Sequence, residues 1–168
     1  MGSFLNIVSR LINGLSKAAG VVAAVCIGTA CAITTYGVVM RYAFNKPPIF
    51  VEEVSGYLLL AVVFLGIVYA ERHGAHIKIT ILTSRLSKRL QNSLEAITLS
   101  LGLVLVVLLI KWVWQLWLYK FGAGVISVTS LHTPLWIPVT VIVIALPLFG
   151  VQLIRAIGQR IIALRDKD

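Results

Sequence analysis

Four stretches of this sequence are too long and too apolar for the interior of a small soluble fold. Residues 18–40 run for 23 positions without a charge between Lys17 and Arg41, and residues 54–70 run for 17 between Glu53 and Glu71. A third stretch begins near Ala96, and residues 135–154 supply 20 more uncharged positions. An α-helix of about 20 residues, rising 1.5 Å per residue, crosses the roughly 30 Å hydrocarbon layer of a bilayer. Lipid offers no partner for backbone N–H and C=O groups, and a helix satisfies them within its own segment. Composition agrees: 59% of residues are hydrophobic and 12% charged, with a mean hydropathy of +0.96, against roughly 45–50% and 25% in soluble domains. Too few polar side chains remain to clothe a water-soluble core, and 168 residues accommodate about four spans with their connections. The expected fold class is an all-α integral membrane protein, a single membrane domain with transmembrane helices at 18–40, 54–70, 96–118 and 134–154. An amphipathic segment starting at Met1 lies ahead of the first span, so that span is expected to be retained rather than cleaved as a signal peptide.

The connections carry most of the charge. Fifteen Lys and Arg against six Asp and Glu give a net charge of +9, but uncharged runs divide the basic residues into short groups, which argues against a nucleic-acid surface. Eleven of the fifteen fall in the N-terminal segment, the connection after the second span and the C-terminus; the other four are Arg41, Lys46, Lys111 and Lys120. Basic residues concentrate on the cytoplasmic side, so both termini are expected there. In residues 1–17, Phe4, Val8, Leu11 and Leu15 recur at helical spacing, the pattern of an interfacial helix. Residues 71–95 form a basic amphipathic cytoplasmic connection in which Leu82, Leu86 and Leu90 alternate with Arg85, Lys88 and Arg89, suited to an anionic leaflet. Residues 76–81 alternate in polarity, which leaves their conformation open. Residues 155–168 form a basic tail.

Few residues invite a chemical role. Lys111 lies inside the third span beside Trp112, Trp114 and Trp117; it reads as a lysine snorkelling to an aromatic interfacial belt, or as the partner of a carboxylate on another helix. Arg85, Lys88 and Arg89 are the corresponding anchors on the cytoplasmic side. Glu52 and Glu53 open the second span, where a helix N-terminus favours carboxylates. Neighbours on a helix diverge by about 100°, so the two do not face one atom. Capping, pairing with Arg41 or a partner subunit, and contact with substrate or ion are all open. His73 and His76 have a metal-compatible spacing without an evident third ligand. Cys26 and Cys31, about 140° apart on a helix, read as small core residues. Thr133 and Pro134 suit a helix cap and first turn, and Pro147 interrupts the fourth span. No nucleotide loop, nucleophile–base set or paired haem histidines stand out, so the chain reads as non-enzymatic, without cofactor, and most simply as a subunit.

The ordered set Arg41, Tyr42, Ala43, Phe44, Asn45 and Pro47, then Glu52 and Glu53, then Gly66, Ala70 and the run Arg72-His73-Gly74-Ala75-His76-Ile77, resembles the small membrane subunit of tripartite ATP-independent periplasmic (TRAP) transporters, the DctQ or SiaQ type. Pro134-Leu135-Trp136 and Pro147-Leu148-Phe149-Gly150 are similar to that family's last helix. Phe50-Val51 stands where the family often has Trp before its acidic pair, and Thr80 where it often has Asp. The resemblance implies a scaffold in the bacterial inner membrane. Its partners would be a large elevator-type membrane subunit that carries the substrate and Na+, a periplasmic substrate-binding protein, and membrane lipids including anionic ones. The imported solute would be an organic anion of the sialic acid or C4-dicarboxylate class. Arg41, Tyr42, Asn45, Glu52, Glu53 and His76 carry over as positions for folding or subunit contact, with no substrate-binding residue expected on this chain. The rival readings are a self-contained homo-oligomeric exporter and the membrane anchor of a quinone-linked redox complex.

Overall fold

The computed structural model describes residues 2–72, 88–129 and 131–165. Four helices follow one another: α1 (Gly2–Ala43), α2 (Phe50–Arg72), α3 (Lys88–Gly122) and α4 (Trp136–Arg165). Each holds a stretch long and apolar enough to cross a membrane, namely Ile12–Ala43, Phe50–Glu71, Ile97–Gly122 and Trp136–Gly158.

The helices are longer than the uncharged runs that announced them. Residues 1–17 and 18–40, expected as an interfacial helix and a span, join from Gly2 onward in one unbroken α1. Lys17 does not interrupt it, because a lysine's methylene stem tolerates an apolar neighbourhood while its ammonium reaches out. Glu52 and Glu53 lie in the first turn of α2, as expected of carboxylates that open the helix. Lys88 and Arg89 begin α3 instead of ending the connection. Residues 155–165, expected as tail, continue α4. Thr133 and Pro134 do not start that helix: Pro134 pairs with Ile126 in an isolated antiparallel bridge, and α4 begins at Trp136. The Pro134 carbonyl accepts from the Ile137 N–H at 3.1 Å, so the chain turns helical immediately after the bridge. Pro147 is inside α4, where it has no N–H to offer the preceding turn.

Across the stack the order is α1, α2, α4, α3, two antiparallel hairpins joined through α2 and α4. The apolar stretch of α4, an inner helix, is the most buried of the four, and that of α3, at one edge, the least. Val68 of α2, Val106 of α3, and Ala145, Phe149 and Leu153 of α4 form the core with Ala19 of α1. Apolar surface against lipid gains nothing from burial alone, so close approach of backbones is what helices in a membrane exploit. In the first hairpin Ala19, Ala23 and Ala30 are buried. A Cβ added at Gly20 would fall against the ring of Tyr69, and one at Gly37 would lie 2.8 Å from Val51 Cγ1. Tyr36 and Phe50 stack at 6.4 Å near the turn. Cys31, expected in the core, is exposed and Cys26 half-buried; both are free thiols.

Candidate functional site

The polar side chains gather at the two ends of the stack. At the loop end, residues 44–49 join α1 to α2. Asn45 closes α1 with a left-handed backbone (φ 52°), a conformation Asn tolerates, and the Lys46 N–H reaches back to the Met40 carbonyl at 3.0 Å. That turn brings Arg41 Nη2 to 3.4 Å from Glu52 Oε1, an ion pair on the surface. Tyr42 beside it is 79% exposed.

Glu53 points elsewhere. Tyr57, one turn further along α2, donates to Glu53 Oε1 at 2.7 Å, and Thr129 Oγ1 donates to Oε2. Thr129 belongs to the α3–α4 connection, which folds back on itself. The Ser127 N–H donates to the Thr133 carbonyl at 2.9 Å and the Leu135 N–H to the Val125 carbonyl at 3.0 Å. Gly124 (φ 59°) and His132 (φ 50°) supply the left-handed turns. Ser127 and Thr129 share a hydroxyl contact at 2.7 Å. The connection is thereby held against the second helix rather than left as a free loop.

Beside it lies an aromatic column. Trp114, Trp117 and Phe121 stack along α3 at centroid distances of 5.6 and 5.2 Å, and Phe121 meets Trp136 of α4 edge-on at 5.7 Å. Trp117 Nε1 donates to Thr140 Oγ1 at 2.8 Å, and Thr140 in turn donates to the Trp136 carbonyl at 2.7 Å. The sequence grouped three tryptophans as one belt, but the structure separates them. Trp117 is tied into the hairpin, whereas Trp112 is 67% exposed, and its neighbour Lys111 is also exposed.

At the other end Ser16 of α1 and Gln152 of α4 are buried together. Gln152 Nε2 donates to Ser16 Oγ at 2.5 Å, and Ser16 donates to the Ile12 carbonyl at 2.8 Å. One turn towards the ends, Arg155 Nη1 donates to Asn13 Oδ1 at 3.1 Å. None of these four residues is prominent in the sequence. The signal that could have found them is spacing: Asn13 and Ser16, like Gln152 and Arg155, lie three apart and therefore share a helix face.

Of the residues singled out from sequence, the structure brings Arg41 to Glu52, places Glu53 on a separate partner, and sets Asn45 in the turn between them. His73, His76 and Arg85 lie outside the described residues, as do the side chains of Lys88 and Arg89. Among the described residues no three His, Cys, Asp or Glu side chains gather to hold a metal ion.

A stack of four span-length helices whose described polar contacts lie mostly towards its two ends is a multi-pass helical membrane protein. A family model described as tripartite ATP-independent periplasmic transporters, DctQ component, matches residues 30–163. The chain belongs to this family, a transporter component and not an enzyme. It is also 36% identical over 77 residues to a Haemophilus influenzae protein named as a TRAP transporter small permease. That match covers 46% of this chain and 48% of the relative, so the chain spans about half the length of the curated relative it matches.

Proposed function

We propose that this chain is the small scaffold subunit of a sodium-coupled, binding-protein-dependent TRAP transporter in the bacterial inner membrane, with both termini cytoplasmic. It stabilises and anchors a large elevator-type subunit that carries an organic anion of the sialic acid or C4-dicarboxylate class. The observation that carries this reading is the placement of charge. Arg41, Glu52, Glu53, Glu71 and Arg155 flank the uncharged runs 18–40, 54–70 and 135–154 that the span-length helices contain, Lys17 precedes the first, and Lys120 is in the last turn of its helix. Only Lys111 lies deep within a span, and it is exposed on α3. A carrier that moves an anion or its coupling ion needs ionisable or polar groups converging near the midplane, because such groups are costly there and are retained for that work. The interior here is instead Val68, Val106, Ala145 and Phe149, packing without transport chemistry.

A scaffold also needs to resist the motion of the part it holds. The clamp of Glu53 on Thr129 at one end and of Gln152 on Ser16 at the other ties the two hairpins together at both membrane surfaces. The basic N- and C-terminal segments favour the anionic leaflet and supply the anchor. The test is reconstitution. Liposomes holding only this chain are expected to accumulate no sialic acid or C4-dicarboxylate under a sodium gradient, while purification from native membranes recovers it with a much larger polytopic chain. Uptake by the chain alone would defeat the reading.

A further inference from the structure

At the end of the stack where α1, α2 and α4 meet, Asn13, Ser16, Glu71, Gln152 and Arg155 line a cavity of about 290 Å³. Gln152 forms its buried side, with 6% of the residue exposed. Its amide nitrogen is committed to Ser16 Oγ, and the Ser16 hydroxyl is committed to the Ile12 carbonyl. Gln152 Oε1 is buried and accepts no hydrogen bond from the described residues. A buried amide oxygen in this position favours a ligand that brings N–H or O–H donors.

Depth and charge narrow the chemistry. The uncharged runs of α1, α2 and α4 end beside this cavity, at Lys17, Glu71 and Arg155. The cavity therefore lies where hydrocarbon gives way to lipid headgroups. Its wall carries one carboxylate, Glu71, and one guanidinium, Arg155, the latter already oriented by Asn13 Oδ1 at 3.1 Å. A guanidinium fits a phosphate, and a carboxylate beside an amide oxygen fits a primary ammonium with its three donors.

We propose that this cavity binds the phosphoethanolamine headgroup of an aminophospholipid, the ammonium donating to Gln152 Oε1 beside Glu71 and the phosphate meeting Arg155 at the mouth. Such a lipid fastens α1 to α4 at the surface where Ser16 and Gln152 already join them. The site is built wholly from this chain, so its failure would leave the family assignment untouched.

The experiment uses the full chain in nanodiscs containing equal fractions of phosphatidylethanolamine, its N-methyl and N,N-dimethyl forms, and phosphatidylcholine, all with the same acyl chains. Native mass spectrometry then reads which lipid the released protein retains. Retention is expected to fall as methyl groups replace N–H donors, by about tenfold across the series, the worth of one charge-assisted hydrogen bond. Gln152→Met is expected to abolish the preference. Equal retention of the four lipids, the result for a cavity that only holds water, overturns the proposal, as does a preference that survives in Gln152→Met. The methylation series requires no variant and decides the matter even where Gln152→Met fails to fold. Soluble phosphoethanolamine forms a second arm: binding of the soluble compound with no preference among the lipids overturns a membrane lipid as the occupant.

Discussion

Glu53, in the first turn of α2, accepts a hydrogen bond from Thr129, a residue 76 positions later in the connection between α3 and α4. The contact joins the first hairpin to the second at the membrane surface, and Tyr57 holds the other carboxylate oxygen. Glu53→Gln and Thr129→Val are each expected to lower the unfolding midpoint in detergent. Because both remove the same contact, the double variant should fall by less than the sum of the two. Strictly additive losses would show that the residues act independently.

The neighbouring Glu52 makes a different prediction. Its pair with Arg41 spans 3.4 Å, and the two side chains are 85% and 57% exposed, so in water it contributes about 0–1 kcal/mol. Glu52→Gln and Arg41→Gln should leave the thermal stability of the isolated chain nearly unchanged. If these residues contact a partner subunit, as the family resemblance suggests, the same substitutions reduce recovery of the complex. Unchanged recovery with both variants would remove them from the interface.

Close approach in the first hairpin is testable at three glycines. Gly37→Ala brings a methyl to 2.8 Å from Val51 and should destabilise by about 1–3 kcal/mol through overpacking. Gly20→Ala meets the Tyr69 ring and should act in the same direction. At Gly28 a Cβ meets nothing within 4 Å, so Gly28→Ala should be neutral or stabilise by up to about 1 kcal/mol from helix propensity. Chemical or thermal unfolding of the three variants in one detergent distinguishes packing from a general cost of side chains on α1.

Two tryptophans of the same belt should differ. Trp117→Phe keeps an aromatic ring between Trp114 and Phe121 but deletes the donor to Thr140, with an expected loss of about 1 kcal/mol and a changed near-ultraviolet circular dichroism spectrum. Trp112→Phe, on the outward surface, should alter neither in detergent. A matching loss in Trp112→Phe would mean that the belt acts as a unit.

That this is a four-span helical membrane chain, and where its charge lies, could be read directly from the residues. Both are one-dimensional properties: span length follows from rise per residue against hydrocarbon thickness, and charge is counted along the chain. The residues also singled out Glu52 and Glu53 as a pair that could not share one target, since adjacent helical positions diverge. Their separate partners, Arg41 for Glu52 and Thr129 for Glu53, emerge only from the packed helices. So does the locking of Trp117 rather than Trp112 into the hairpin, and the buried contact at the other end between Ser16 and Gln152, 136 residues apart. Those pairings depend on the order in which helices pack and on the rotation of each about its axis. Hydropathy leaves that rotation undetermined when nearly every face is apolar, because lipid and a neighbouring helix select for the same side chains.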